Sequence, residues 1–212
     1  MRVRIKICGM TREEDALLAA GLGADAIGLI FTASSPRQVS LRRAVQIREQ
    51  LPALTSVFAL FADDTEEWVV EIVKALRPDY LQFHGHEDDD FCRRFDRPFF
   101  KAIAMGSPVL PDLESLTMDF PSAAGLIFDA HTPGQRGGLG KPFDWSRLIP
   151  CHRPWLLAGG LSPDNIAAAI HQTRPWGVDV ASGVECAPGI KDARRMTRFF
   201  SEVLRAEVEL SN

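Results

Sequence analysis

Short runs of strand-forming residues alternate along this chain with longer segments that carry the spacing of amphipathic helices. Eight such runs occur, at residues 3–8, 26–31, 55–61, 80–83, 99–103, 125–128, 155–158 and 177–180. Several are almost entirely apolar, which is typical of parallel strands covered by helices outside and by packed side chains inside. Because doubly wound sheets commonly use about five or six strands, eight units predict a single (β/α)8-barrel catalytic domain over residues 1–212.

The helical segments carry start signals in their first turns. We expect Thr11 and Glu14 to form a capping box before the first helix. The other expected starts are Ser40 for a helix over 41–51, Thr65 for 66–76, Ser162 with Pro163 for 165–173, and a last helix over 192–205 followed by frayed residues 206–212. The fifth helical segment, within residues 104–123, contains three prolines, so we expect it to be short or irregular.

The charge pattern and the cysteines exclude several classes of protein. The formal net charge is −4 and no block of basic residues occurs, which argues against a nucleic-acid partner. No stretch approaches the roughly 20 apolar residues of a membrane span, and the N-terminus does not read as a signal peptide. The four cysteines, Cys8, Cys92, Cys151 and Cys186, show no metal-ligand spacing. We therefore expect free thiols, no metal and a cytoplasmic protein.

The first strand ends with two side chains that can carry chemistry. In a (β/α)8 barrel the catalytic groups lie at the carboxyl ends of the strands. Alternation of side chains places Lys6 and Cys8 on the inward face. The neighbouring cation favours a thiolate at Cys8, whereas burial opposes it. The alternative is that Cys8 is merely a small residue before a tight turn at Gly9.

The second and fourth strands end in further polar residues. Arg37 follows a proline turn and suits two-point binding of a carboxylate, although a solvent-facing loop arginine is the alternative. Gln82 and His84 share a face and are expected to point inward. A role for His84 in proton transfer and a role in structural hydrogen bonding both remain open.

The sixth strand ends at Asp129. Partial burial there would raise the pKa of its carboxyl group, as a general acid near neutral pH requires. The glycine-rich loop over residues 130–141 either closes over a substrate or is simply long, and its GGLG stretch is a weak phosphate signal.

The last two strands carry the more specific signal. Gly159 and Gly160 follow the seventh strand, and Ser182 and Gly183 follow the eighth. Backbone amides in these two loops form the recurrent phosphate site of this fold, which predicts a phosphorylated small-molecule substrate. Asp179 should face inward. Because closure of the barrel pairs the eighth strand with the first, we expect Asp179 to contact Lys6 near Cys8.

These segments closely resemble the phosphoribosylanthranilate isomerase family of tryptophan biosynthesis. The matching stretches are KICGMT (6–11), GADAIGLIF and SPRQV (23–39), QFHGHE (82–87), FDA and GGLGKPFDW (128–145), LAGGL (157–161), GVDVASGVE and GIKD (177–192). The resemblance implies a (β/α)8 barrel and an Amadori rearrangement, the third step of tryptophan biosynthesis from chorismate. That reaction converts an aminoaldose phosphate into an aminoketose phosphate without a metal or organic cofactor.

The same resemblance implies a role for each site residue. Cys8 would be the general base, Asp129 the general acid and Arg37 the ligand of the anthranilate carboxylate. The amides of Gly159, Gly160, Ser182 and Gly183 would hold the phosphate, with Lys6, Gln82, His84 and Asp179 as supporting pocket residues. Association with other enzymes of the tryptophan pathway is a further expectation. The third strand departs from the family pattern, and Asp63 and Asp64 would bring negative charge to the site if they pointed inward.

Two other functions compete with this interpretation. One is a different phosphosugar isomerase or epimerase barrel. A metal-dependent epimerase needs inward histidines and aspartates on several strands, and of the histidines only His84 lies convincingly at a strand end. The other is a non-catalytic barrel that binds sugar phosphates, against which the presence of both Cys8 and Asp129 argues. Turnover of substrate distinguishes these functions.

Overall fold

A closed barrel of eight parallel strands forms the centre of the protein. The computed structural model describes residues 2–106, 118–131, 143–148 and 153–211. The strands follow one another in chain order and β8 closes on β1. They are β1 (Arg4–Ile7), β2 (Ala26–Ile30), β3 (Ser56–Phe61), β4 (Tyr80–Phe83), β5 (Phe99–Ala104), β6 (Gly125–Asp129), β7 (Trp155–Leu157) and β8 (Gly177–Val180). The predicted (β/α)8 barrel is confirmed.

Helices surround the barrel. The α-helices are α1 (Glu13–Gly21), α2 (Leu41–Gln50), α3 (Glu66–Leu76), α4 (Asp89–Cys92), α5 (Ile166–Thr173) and α6 (Ala193–Glu209). Three single turns of 3-10 helix (Arg93–Phe95, Trp145–Arg147, Ser182–Val184) and an antiparallel pair, β9 (Glu185–Ala187) and β10 (Ile190–Lys191), complete the described elements. The predicted irregular helical segment falls largely on residues 107–117, which lie outside the described residues. In the described ranges, no helix combines the length and hydropathy that crossing a membrane requires.

Two helix starts follow the predicted caps. The side chain of Ser40 accepts a hydrogen bond from the amide of Arg43, and that of Thr65 accepts one from the amide of Trp68. Asp192 caps α6 in the same way, through the amide of Arg195 at 2.9 Å. These bonds satisfy amides that have no partner within the helix.

Three predictions about helix ends were wrong. The capping box at Thr11 does not form, because α1 begins at Glu13 and the Thr11 hydroxyl donates instead to the carbonyl of Gly189. The helix predicted over 165–173 begins at Ile166, and Asn165 rather than the expected Ser162 holds the capping position. The last helix does not fray after residue 205 but continues to Glu209, because Ala206 is fully buried against the rest of the protein.

Alternation along the strands divides the core into two layers. The outward residues of the strands, Ile5 and Ile7 among them, pack with the helices in the larger cluster. The inward residues fill the barrel with a second cluster of Ala26, Phe58, Phe100, Ala102, Ile127, Leu156 and Ala158. Cys8 lies above this filling with Ile30 and Leu60. The inward positions at the carboxyl ends of the strands therefore form the floor of an open mouth.

Candidate active site

The mouth of the barrel contains a cavity of about 220 Å³. Most of the sequence-predicted site residues line it together: Cys8, Arg37, Gln82, His84, Asp129, Gly159, Gly160, Asp179 and Ser182. Lys6 lies just below this lining, within hydrogen-bond distance of Asp179. Gly183 lies behind Ser182 and does not line the cavity. The predicted inward direction of Gln82 and His84 is thus confirmed.

Lys6 and Asp179 form a buried ion pair beneath Cys8. The register of β1 and β8 places the two residues side by side, and Lys6 Nζ lies 2.8 Å from Asp179 Oδ2. The expected contact is confirmed. Burial by itself lowers the pKa of Lys6, but the charges of Asp179 and Cys8 outweigh it and raise that pKa. The second oxygen of Asp179 is buried without a hydrogen-bond partner among the described residues.

Cys8 is buried, with a relative exposure of 5%. Burial raises the pKa of its thiol above the ordinary value, although Lys6 and Lys191 act in the opposite direction. Of the two opposing effects expected from the sequence, burial therefore outweighs the neighbouring cation. The free protein carries a thiol at neutral pH. Gly28 lies opposite, where an added Cβ would stand 2.7 Å from the sulfur atom.

Asp129 differs from the sequence-based expectation. Burial does raise the pKa of this carboxyl group, but hydrogen bonds from His131 and the electrostatic effect of the neighbouring imidazoles of His84 and His131 outweigh burial and lower the pKa to about 2. The backbone amide of His131 donates to Asp129 Oδ1 at 2.9 Å, and the ring nitrogen Nδ1 of His131 lies 3.4 Å from the same oxygen. The prediction of a raised pKa was wrong for the unliganded protein, in which Asp129 is a carboxylate.

His84 contacts His131 across the mouth. Its Nε2 lies 2.9 Å from His131 Nδ1, and the two rings are nearly perpendicular, at 84°. Burial, with smaller effects of nearby positive charges, lowers the pKa of His84 to about 4, so the ring is neutral at pH 7. Sequence reasoning did not select His131, because it lies two residues beyond the strand in a glycine-rich loop.

Arg37 is buried and does not face solvent, which excludes the alternative of an ordinary loop arginine. Its Nε and Nη2 donate to the carboxylate of Glu185, at 2.9 and 2.8 Å. Lys191, fully shielded, donates to Glu185 Oε1 at 2.8 Å and to the carbonyl of Cys8 at 2.6 Å. Glu185 and Lys191 were not predicted as site residues. The three side chains form a buried network with a net charge of +1, counted as two cations and one carboxylate.

The loops after β7 and β8 present open backbone amides. Gly159 and Gly160 have φ values of +81° and +69°, which non-glycine residues rarely adopt. A Cβ at Gly159 would overlap Ala130, and one at Gly183 would overlap the carbonyl of Leu161. In the part of the chain that the structure describes, the amides of Gly159, Gly160, Ser182 and Gly183 donate to no protein acceptor. These two loops can therefore bind an anion such as a phosphate.

One residue outside the prediction holds the first of these loops in place. The side chain of Asn165 donates to the carbonyl of Gly160 and accepts from the amide of Ser162, both at 2.8 Å. The sequence signal for it was present, since Asn165 follows the LAGGL stretch at the start of a helix. Asn165 thus fixes the backbone on which the open amides lie.

The acidic residues after β3 do not enter the cavity. Asp63 bonds to the amide of His86, and Asp64 accepts from the hydroxyl of Thr32. Neither residue lines the cavity, and Asp64 reaches its wall through the hydroxyl of Thr32. Most of the predicted closing loop, residues 132–141 with its GGLG stretch, lies outside the described residues.

Comparison with known proteins agrees with this geometry. The family model described as "N-(5'phosphoribosyl)anthranilate (PRA) isomerase" matches residues 5–202. The N-(5'-phosphoribosyl)anthranilate isomerase of Xanthomonas euvesicatoria pv. vesicatoria (strain 85-10) is 51% identical over 211 residues, which cover 97% of this chain and 95% of that protein.

Solved structures give the same result. The phosphoribosyl anthranilate isomerase from Thermotoga maritima has a TM-score of 0.86 at 33% identity, covering 96% of this chain and 99% of that one. A second such isomerase was solved in complex with reduced 1-(o-carboxyphenylamino)-1-deoxyribulose 5-phosphate. Its TM-score is 0.82 at 30% identity, with 96% of this chain and 99% of that chain covered.

Proposed function

This chain belongs to the N-(5'-phosphoribosyl)anthranilate isomerase family, and from that premise we propose that Cys8 and Asp129 are the base and acid of its reaction. The enzyme converts N-(5'-phosphoribosyl)anthranilate into 1-(2-carboxyphenylamino)-1-deoxyribulose 5-phosphate, a step of tryptophan biosynthesis. The observation that carries the proposal is the position of the two groups. Cys8 follows β1 and Asp129 ends β6, so they enter one cavity from separate sides of the barrel.

The reaction divides into two proton transfers. Asp129 donates a proton to the ribose ring oxygen, the bond between C1′ and that oxygen breaks, and a Schiff base forms at C1′. Cys8 then removes the proton from C2′, which gives an enolamine that tautomerises to the ketone. Groups on separate sides of the sugar suit these steps, and neither step requires a hydride carrier or a metal.

The resting protonation states are the reverse of those that the reaction uses. The free protein holds a thiol at Cys8 and a carboxylate at Asp129, because the pKa of Cys8 is raised and that of Asp129 is about 2. The reactive form holds the same number of protons, with one moved from Cys8 to Asp129. Substrate against Asp129 excludes water and favours the neutral carboxyl group. The negative charges of the substrate's phosphate and carboxylate raise the pKa of Asp129 further.

Two anchors fix the substrate on either side of the reacting carbons. We assign the phosphate to the open amides of Gly159, Gly160 and Ser182, which line the cavity, together with that of the adjacent Gly183. Backbone amides need no cation to bind an anion. Arg37 binds the anthranilate carboxylate, with support from the net charge of +1 in its network with Glu185 and Lys191. Fixing both ends holds C1′ and C2′ between Cys8 and Asp129 and lowers the entropic part of the barrier.

The remaining pocket residues support these groups. Lys6 and Asp179 form the ion pair below Cys8, and Gln82 and His84 line the wall beside Asp129. We further propose that residues 1–212 act as one catalytic domain in the cytoplasm, in keeping with the free cysteines found among the described residues. Association with other tryptophan-pathway enzymes is part of the same proposal.

The decisive experiment follows the loss of fluorescent N-(5'-phosphoribosyl)anthranilate without added metal. We expect turnover by the wild type and a fall in kcat of about 10²-fold or more in Cys8→Ser and in Asp129→Asn. Cys92→Ser and Asp164→Asn, which change a thiol and a carboxylate that do not line the cavity, serve as matched controls. Variants that keep full activity would remove Cys8 and Asp129 from their assigned roles, and a folded but inactive wild type would point to another phosphosugar.

A further inference from the structure

We propose that the ends of β4 and β6 form a site for a zinc-class divalent cation, with His84, Asp129 and His131 as its ligands. Within the described residues, these are the three side chains whose donor atoms all lie within 4.8 Å of one another. They come from two different strand ends and surround one corner of the cavity. The site is distinct from the anion-binding loops after β7 and β8.

The distances between the donor atoms match those around such an ion. His84 Nε2 lies 2.9 Å from His131 Nδ1, and His131 Nδ1 lies 3.4 Å from Asp129 Oδ1. Ligands at about 2.0–2.1 Å from zinc stand about 3.3 Å apart at tetrahedral angles and about 2.9 Å apart at right angles. The two measured values span this interval, and the third separation, between His84 and Asp129, is below 4.8 Å. A cation therefore fits once the His84 and Asp129 side chains close around it.

Binding of a cation replaces the hydrogen bond between the two imidazoles. At present one ring donates its N–H to the other across 2.9 Å. In the bound form, the inner nitrogen of each imidazole carries no proton and offers a lone pair to the ion. The charge of the Asp129 carboxylate offsets one of the two positive charges of the ion.

The donor set selects the class of ion. Two imidazole nitrogens and one carboxylate oxygen suit Zn²⁺, Co²⁺ and Ni²⁺, whereas Mg²⁺ and Ca²⁺ prefer oxygen ligands alone. Three protein ligands leave at least one coordination position open toward the cavity. The site is therefore accessible from the cavity, and we expect the bound ion to exchange with ions in solution.

Occupation of this site has a consequence for the enzyme. A cation on Asp129 takes away the lone pairs that receive and deliver a proton, so Zn²⁺ is expected to inhibit the isomerase reversibly and in competition with substrate. This consequence rests on the proposed role of Asp129, whereas binding of the cation does not. Binding and inhibition must therefore be measured separately.

Cobalt provides a readout that is independent of turnover. Co²⁺ is titrated into the full chain after treatment with a chelator, and the visible ligand-field bands are recorded before Zn²⁺ is added to displace it. We expect bands for the wild type and a loss of affinity of more than about 100-fold in His131→Gln and in His84→Gln. His171→Gln is the matched control, since it removes a histidine that pairs with Glu209 away from the cavity.

The two possible failures have different signatures. Unchanged bands in folded His131→Gln, or bands lost in Cys8→Ser but kept in both histidine variants, would overturn the proposed site. Inhibition by Zn²⁺ is then measured for each variant relative to its own activity without metal. We expect Zn²⁺ to inhibit His131→Gln less than it inhibits the wild type. Normal cobalt binding without any inhibition would leave the site standing and count against the role of Asp129.

Discussion

Arg37, which lines the barrel mouth, and Glu185 form a buried two-point ion pair. Arg37 Nε lies 2.9 Å from Glu185 Oε1, and Nη2 lies 2.8 Å from Oε2. The side chains are only 11% and 4% exposed. The pair uses the N–H of Nε and one N–H of Nη2 and fixes the plane of the guanidinium group. In the proposed role of Arg37, the remaining N–H groups of Nη1 and Nη2 are the donors for a substrate carboxylate, and Glu185 acts through Arg37 as a positioning residue.

Glu185→Gln should raise KM for the substrate about 10-fold while changing kcat less. A neutral amide cannot accept both charge-assisted bonds, and the loss of about 1.5 kcal/mol corresponds to about a factor of ten. Steady-state kinetics measure the split, with Glu202→Gln, which breaks an exposed pair with Arg205, as control. A lower KM would show instead that the charge of Glu185 repels the anionic substrate.

Asp179→Asn should lower the pKa of the Cys8 thiol. The charge of Asp179 raises that pKa, and Lys6 lowers it more effectively once it has lost its counterion. The thiolate, which is the reactive form in the proposed role of Cys8, increases with pH, so the midpoint of the Cys8 titration should move to lower pH. Ultraviolet absorbance of the thiolate, with the Cys8→Ser spectrum subtracted, measures the shift. Asp164→Asn should leave the midpoint in place, and an upward shift in Asp179→Asn would contradict the prediction.

Gly28→Ala should reduce kcat with little loss of folding. The new Cβ would stand 2.7 Å from Cys8 Sγ and 3.2 Å from Lys6 Nζ, so both groups must move. A misplacement of about 1 Å costs about 10²-fold in rate, which applies here through the proposed role of Cys8. Gly21→Ala is the matched control, because nothing lies within 4 Å of the added Cβ. Equal kinetics of the two alanine variants would remove the steric argument for Gly28.

Lys101→Met should destabilise the fold. Lys101 Nζ lies 2.8 Å from Glu87 Oε2 with side-chain exposures of 5% and 4%, and it also donates to the carbonyl of Gly85. Removal of one partner of a buried pair leaves a charge without compensation and costs about 3–5 kcal/mol. Urea unfolding gives the free energy of unfolding. The double variant with Glu87→Gln should recover part of the loss, and Lys74→Met, at an exposed position, should have almost no effect.

The sequence by itself determined the barrel and much of its mouth. Alternation of apolar runs with helical segments predicts eight strand–helix units, and the two-residue period of a strand places Lys6 and Cys8 inside. Closure of the barrel then brings β8 beside β1, which is why the contact between Lys6 and Asp179 could be predicted. These properties follow from local periodicity and from one topological rule.

The tertiary structure alone decided the contacts that tune the site. His131 lowers the pKa of Asp129 to about 2, contrary to the expectation from burial, because its loop turns the amide and the ring back onto the carboxylate. Glu185 reaches Arg37 across 148 positions of sequence. Such contacts depend on loop paths and side-chain directions that no local pattern encodes, and electrostatic effects at a few ångströms change sign with small differences in position.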